Sequence, residues 1–180
     1  IDFGIRWMTM HPDITRTFPV SGRVNPMQKI LYEIVLKAQL AVQKKARAGV
    51  TVDELNTVCW DKVNQGLEND FKAIGGKFKL QYKERPHGVS HLMGEQEHDG
   101  DPFRNYAPKP MQVGWMISNE PGLYGEFRLK VKGKTYDEKI GIRIEDNLVM
   151  TSSGCLNLSS KIPKTVKQIE KLMSHRNTGQ

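Results

Sequence analysis

Residues 140–150 read Ile-Gly-Ile-Arg-Ile-Glu-Asp-Asn-Leu-Val-Met, and residues 113–122 read Val-Gly-Trp-Met-Ile-Ser-Asn-Glu-Pro-Gly. Both are strand-like runs of apolar and β-branched residues, bounded by turn residues. Each carries an acid close to positions where burial is expected: Glu145 among Ile142, Ile144 and Leu148, and Glu120 at the end of the strand Val113–Ser118. The beginning of the chain repeats the pattern. Ile1-Asp2-Phe3-Gly4-Ile5 places Asp2 among apolar residues that predict burial, and Asp13 opens Asp13-Ile14-Thr15-Arg16-Thr17 eleven positions later. A strand-turn-strand of that spacing brings the two carboxylates to one side. Taken singly, an Asp near Gly is an ordinary turn residue and a Glu before Pro-Gly an ordinary solvated one. Taken together, the four acids pose an electrostatic problem, because a buried carboxylate without a partner is costly or takes up a proton. Arg143 can neutralise one of them. Four acids call for two divalent ions, whose summed charge of about +4 matches theirs.

Outward from these strings the chain organises simply. Strands are expected over Ile1–Thr9 and Ile14–Val20, with a turn at His11-Pro12. Asn25-Pro26 reads as a helix cap followed by Pro at the first helical position, and Ile30, Leu31, Ile34, Val35, Ala38, Ala41 and Val42 recur at helical spacing up to Ala48-Gly49. Thr51 and Glu54 form a capping box for a second helix whose inner face runs through Leu55, Val58, Cys59, Lys62 and Val63. Gly75-Gly76 marks a loop. A single strand is expected over Ile140–Met150, the charged segment Glu126–Lys139 reads as a solvent hairpin, and a last helix starts near Pro163. In that helix Ile162, Val166, Ile169, Leu172 and Met173 should face inward and Lys164, Lys167 and Lys171 outward.

Composition narrows the field. The 180 residues hold 27 Lys+Arg against 20 Asp+Glu, a net charge of +7, with 38% hydrophobic residues and no run that could span a bilayer. A membrane partner is excluded on that pattern, and the basic charge reads as a lysine-rich surface, so no nucleic acid is expected. Cys59 and Cys155 lie far apart with no CxxC spacing, which fits a reducing compartment; a cytoplasmic location is the expectation. The chain begins without Met and in mid-strand, so it reads as a fragment.

The donor types also restrict the chemistry. Four carboxylates and one imidazole make a hard, oxygen-rich shell that suits Mn²⁺, Co²⁺ or Fe²⁺ at least as well as Zn²⁺. Two such ions held about 3.5–4 Å apart lower the pKa of a bridging water and clamp a polarised carbonyl. A helical zinc pair from His87 and His91 is disfavoured by Pro86 and Gly88, and there is neither a Gly-rich phosphate loop nor a G-x-S-x-G elbow.

The strings DITRTFPV, HGVSH, NEPGLYG and GIRIED, in this order and spacing, resemble the creatinase/methionine-aminopeptidase-type "pita-bread" metallopeptidases, and among them the Xaa-Pro aminopeptidases. The resemblance implies an α+β fold with a curved antiparallel sheet covered by helices. It implies that residues 1–180 are the C-terminal part of a catalytic domain whose upstream half lies outside this chain. It further implies two divalent metal ions, Mn²⁺ first among them, with Asp2 on one ion, His91 and Glu120 on the other, and Asp13 and Glu145 bridging. Glu120 would accept the proton of the attacking metal-bridging hydroxide. His87 and His98 would hydrogen-bond the substrate carbonyl or its oxyanion, Arg143 would hold a ligand carboxylate, and Thr15 would hydrogen-bond another. The implied reaction is hydrolysis of the N-terminal Xaa-Pro bond of a peptide with Pro in second position. The alternatives are a Xaa-Pro dipeptidase (prolidase), which shares all five ligands, and a non-catalytic binding module of the same fold. A homo-oligomer or a complementing upstream fragment are the partners such a chain would have. One departure stands out: Glu95 and Glu97 occupy positions ahead of His98 where the family usually has apolar residues, which points to an altered His98 or to basic substrates.

Overall fold

A computed structural model describes residues 1–5 and 8–174. Two long helices lie against short antiparallel sheets. The first, α1 (Pro26–Lys45), starts at the Asn25 cap with a reciprocal box to Gln28, and buries Met27, Leu31, Ile34, Val35, Ala38 and Val42. The second, α2 (Val52–Gly66), carries the Thr51–Glu54 box and buries Leu55, Asn56, Cys59, Trp60 and Val63; Lys62 is exposed, because its stem falls one position off the apolar stripe. One π-type turn (Leu67–Phe71) and a short 3₁₀ turn (Lys72–Ile74) continue it to Gly75, whose φ of 88° closes the segment in the left-handed conformation.

Eight strands, among the described residues, form three antiparallel sheets. A two-residue pair joins β1 (Asp2–Phe3) to β2 (Ile14–Thr15), with Asp2 opposite Thr15. The second sheet has the order β3 (Lys77–Leu80), β5 (Gly122–Val131), β6 (Lys134–Arg143). The third has the order β4 (Met116–Asn119), β7 (Asp146–Met150), β8 (Cys155–Asn157). The helix α3 (Val166–Ser174) ends the described chain. The core is formed by the inner faces of α1 and α2 with Ile117, Leu123, Phe127, Leu129, Ile142, Ile144 and Leu148, and Phe71, Phe78 and Phe127 stack around ring distances of 6.0–6.5 Å.

Several expectations from the sequence need correction. The strands at the N-terminal end are much shorter than Ile1–Thr9 and Ile14–Val20, and Arg6 and Trp7 lie outside the described residues. Ile1, Phe3 and Ile5 are 62–75% exposed rather than buried, because no described residue packs over that face. The hairpin expected over Glu126–Lys139 is present as the paired body of β5 and β6, but it is not solvated on both faces: Phe127 and Leu129 enter the core and charged residues alternate on the outer face. Only its tip is a turn, where Lys132 and Gly133 both have positive φ, the geometry a two-residue hairpin loop requires. Residues 140–150 are two strands in two sheets. In the last helix only Ile169 is fully buried, Ile162 and Leu172 are exposed, and Lys164 lies before the helix and points inward.

That lysine belongs to a buried polar hub. Asp146 is wholly buried and accepts from Arg16 (2.7 Å), Lys164 (2.6 Å), Gln39 (2.7 Å) and Asn157 (2.7 Å). Burial works to raise the Asp146 pKa, but the Lys164 and Asn157 hydrogen bonds and the Arg16 charge outweigh it and hold the carboxyl below the ordinary range. Arg16 also donates to the backbone carbonyls of Thr15, Glu145 and Pro163, so it ties β2, the start of β7 and the C-terminal segment together. Replacing Asp146 by Ala strands the buried Arg16 and the half-buried Lys164, and we expect it to destabilise the full-length protein by about 3–5 kcal/mol in urea unfolding. A loss under about 1 kcal/mol would show that the hub contributes little.

Candidate metal centre

The break between the two three-stranded sheets builds the site. In the third sheet Asn119 pairs with Asp146, and in the second Gly122 pairs with Arg143. The intervening Glu120-Pro121 and Ile144-Glu145 leave the ladder at the same level. Pro121 has no N–H to give, so its segment cannot continue the ladder, and a single long bond of 3.4 Å from Ile144 N to Pro121 O spans the gap. Two glutamates are thereby turned toward each other from opposite strands. From the side, β2 docks on the same gap, with Glu145 N donating to Thr15 O (3.1 Å), and this places Asp13 and Asp2 beside Glu145. From the other side, the segment Val89–His91 runs along β4, with Glu120 N donating to Val89 O (2.9 Å) and Ser118 N to His91 O (3.0 Å).

The structure brings all five expected ligands together. Ligand atoms of Asp2, Asp13 and Glu145 lie within 4.8 Å of one another, as do those of His91, Glu120 and Glu145. Glu145 belongs to both groups, and Asp13 joins the second through His91, 3.5 Å away. Asp13, His91, Glu120 and Glu145 are buried, whereas Asp2 stands half exposed at the rim.

Hydrogen bonding shows what the cluster lacks. His91 Nδ1 lies 3.1 Å from the Leu92 carbonyl, so it carries the proton there. The Nε2 lone pair then points at Asp13 Oδ2 (3.5 Å) and Glu120 Oε1 (3.4 Å), and this atom, like Glu145 Oε1, is buried with no hydrogen-bond partner. Acceptors facing acceptors require a cation between them. A proton partly serves: burial pushes the His91 pKa down, but Asp13, the Leu92 carbonyl and Glu120 outweigh it and raise it, while His91 foremost holds Asp13 below the ordinary range. Burial, then the Glu120 charge, push Glu145 up to about 8 against the pull of the Thr15 hydroxyl. A divalent ion satisfies the same atoms without protonating them, so the residues present fit a metal centre.

The surrounding side chains orient this set. Thr15 Oγ1 donates to Glu145 Oε2 (2.7 Å), a hydrogen bond to a candidate ligand carboxylate of the kind the family resemblance implies. Ser118 Oγ donates to Glu120 Oε1 (3.1 Å) and receives His91 N (3.0 Å), a link that no sequence string marked. Arg143 reaches Asp2 (3.2 Å) and Glu120 (3.5 Å) with one nitrogen and donates Nε–H to Tyr124 Oη (3.0 Å). Tyr124 was also missed; its hydroxyl lies 3.5 Å from His87 Nε2. His87 Nδ1 is committed to the Gly88 carbonyl (2.9 Å), and its ring stands edge-on between Trp60 and Tyr124. His98 is exposed, with its ring 4.3 Å from that of His91. The cluster opens into a cleft of about 380 Å³ lined by His87, His91, His98, Asp99, Arg104, Glu120 and Arg143. All the residues expected to act on a substrate therefore border one opening.

Comparison with known proteins agrees with this geometry. Residues 1–152 match the family model described as metallopeptidase family M24. The chain is 32% identical to the Xaa-Pro aminopeptidase of Haemophilus influenzae over 97% of its own length and 41% of that protein's. It is 30% identical to the mitochondrial intermediate cleaving peptidase 55 of Arabidopsis thaliana, over 97% and 34%. Among solved structures, a variant of Escherichia coli aminopeptidase P superposes with a TM-score of 0.80 at 27% identity, over 99% of this chain and 41% of that one. Aminopeptidase PepP of Pseudomonas aeruginosa gives 0.74 at 30%, over 95% and 40%. The chain thus spans about two-fifths of the length of such relatives. Its sheets and helices are those of the pita-bread fold, and with five converging donors and a family match over most of its length, this chain belongs to metallopeptidase family M24.

Proposed function

We propose that the protein carrying this chain is a metal-dependent aminopeptidase that hydrolyses the bond between an N-terminal residue and a following proline. The observation that carries this reading is the pair of overlapping ligand groups sharing Glu145, with His91 Nε2 and Glu145 Oε1 buried and unpartnered. The relatives named Xaa-Pro aminopeptidase supply the substrate class.

Asp2 would hold one divalent ion, His91 and Glu120 the other, and Asp13 and Glu145 both; Mn²⁺ is the ion we favour for so oxygen-rich a set. When bound, the ions would supply Lewis-acid polarisation of the scissile carbonyl and a water acidified to near neutral pH. Glu120 would take the proton of that water, because its carboxylate faces the cleft while Ser118 and Arg143 fix its two oxygens. His98 would donate to the carbonyl oxygen from the open side. His87 has its Nδ1 proton on Gly88, so donation to a developing oxyanion would come from Nε2 of the imidazolium form. Arg143 would restrain Asp2 and Glu120 so that neither carboxylate rotates out of the set.

The full-length protein should bind about two Mn²⁺ per site, measured by elemental analysis, and lose cleavage of Ala-Pro-Ala on chelation. Glu120→Gln should lower kcat by about 100- to 10,000-fold. Release of the first residue from tripeptides as well as dipeptides supports an aminopeptidase, whereas cleavage of dipeptides alone would make it a dipeptidase. Retained turnover in excess chelator would sink the reading altogether.

A separate expectation concerns pH. In chelator, between about 4.5 and about 8, native Glu145 keeps a proton that the unfolded chain has released, so its contribution to stability falls as pH rises through that window. Urea midpoints at pH 5.5 and 8.5 should therefore diverge more in the parent than in Glu145→Gln, and Mn²⁺ should remove the difference. An identical pH slope in parent and variant would contradict the assignment.

A further inference from the structure

One turn in the cleft wall is built on a residue ill-suited to it. Arg104 has a φ of 56°, the left-handed conformation that side chains other than glycine disfavour. Its N–H donates to the Asp101 carbonyl (2.8 Å) and its carbonyl accepts from Ala107 N (2.9 Å), and the turn so fixed brings the guanidinium to the cleft. The neighbouring acids are engaged elsewhere: the carboxylate oxygens of Asp99 accept from Glu95 N and Gly100 N, and those of Asp101 from Phe103 N and Asn105 N. Arg104 donates instead to the backbone carbonyl of Ser90, a fully buried residue. It also lies against Gly88. A side-chain carbon there would fall 2.9 Å from one terminal nitrogen, 3.1 Å from the other and 3.3 Å from Cζ, so the guanidinium fills the space that glycine leaves. Its Cζ stands 5.9 Å from the centre of the Tyr106 ring, and the Tyr106 hydroxyl accepts from Leu92 N (3.4 Å).

These contacts converge on the main chain that carries two site histidines. Gly88 follows His87, Ser90 precedes His91, and Leu92 follows it. The peptide group between Ser90 and His91 has its N–H on Ser118 Oγ (3.0 Å) and its C=O on Arg104, so side chains fix that plane at both ends. Its orientation sets the direction of the His91 Cα–Cβ bond, and with it the line of the Nε2 lone pair toward Asp13 and Glu120. Ser118 holds the plane from the sheet and Arg104 from the cleft. Without the guanidinium, a buried carbonyl loses its partner and the plane is free to turn. Resting on the dinuclear metal reading above, we infer that Arg104 is a positioning residue. It acts through the Ser90–His91 peptide to aim His91 at the metal ion that this histidine shares with Glu120, and it does not act on the ion held by Asp2.

The test is calorimetric titration of the metal-free full-length protein with Mn²⁺, read as two stepwise affinities. Arg104→Ala should weaken one step by roughly 10- to 100-fold, the range seen when a contact supporting a metal ligand is lost, and leave the other within about threefold. His91→Ala should weaken the same step, and adding Arg104→Ala to it should change nothing further. Arg104→Lys, which can still donate one N–H to Ser90, should recover most of the loss. Gly88→Ala, which displaces the guanidinium, should reproduce part of the loss in the parent and none in Arg104→Ala. At saturating Mn²⁺ the KM for Ala-Pro-Ala should stay within about twofold of the parent, because Arg104 acts through His91. Equal weakening of both steps, or of neither, would overturn the inference while leaving the peptidase reading intact. So would a KM raised about tenfold with both affinities unchanged, which would make Arg104 a substrate contact. A parent protein that binds no Mn²⁺ would overturn both.

Discussion

Like charges brought together under the surface dominate this molecule. Glu120, Glu145 and Asp13 are buried side by side, with Asp2 at their edge, and the imidazole buried with them, His91, presents a lone pair to them. Nothing in a protein core tolerates that arrangement unless a cation completes it, so the surrounding structure can be understood as the means of holding acids against their own repulsion. Pro121 interrupts one ladder, Ile144-Glu145 the ladder opposite, and β2 and the Val89–His91 segment close the gap from both flanks. The backbone of each candidate ligand is thus anchored in a different segment, and none can withdraw without breaking main-chain hydrogen bonds.

The adjacent acids Glu145 and Asp146 show how finely the pleat separates two environments. Successive residues of an extended chain point to opposite faces. Glu145 enters the unpaired cluster and its acidity is weakened, while Asp146 turns to the other face, meets Arg16 and Lys164, and becomes more acidic. The same pair of residues therefore faces a charge deficit on one side and a satisfied hub on the other. Arg16 links the two, since it donates both to the Asp146 carboxylate and to the Glu145 carbonyl.

Much of this was legible from residue order. The capping boxes at Asn25 and Thr51 set the helix starts, and acids placed among Ile142, Ile144 and Leu148 announced a buried cluster that needed counter-charge. What escaped was decided by partners distant in sequence. Gln39 sits on the apolar face of α1 and Lys164 in a lysine-rich tail, and neither looks buried until Asp146 is placed between them. The hairpin Glu126–Lys139 reads from sequence as wholly solvated because its charges alternate with core residues at a period of two, a pattern its Lys and Glu content conceals. Ser118 lies in a strand that reads as ordinary and Tyr124 inside the string NEPGLYG without a chemistry of its own, and their contacts arise only from the sheet break beside them. Ile1, Phe3 and Ile5 alternate as a buried strand should, yet burial also needs a covering element, which periodicity cannot report.

The two-faced placement of Glu145 and Asp146 also bears on how this segment can change over evolutionary time. Losing or gaining one residue between Gly141 and Glu145 would shift β7 by half a pleat, exchange the acid of the cluster for the acid of the hub, and ruin both at once. A replacement at Ile142 or Ile144 leaves both acids on their own faces, whereas a change of length moves the two together. The stretch Gly141–Asp146 is thus fixed in length by two sites at once, in contrast to the turn at Lys132-Gly133, where extra residues would only lengthen an exposed loop.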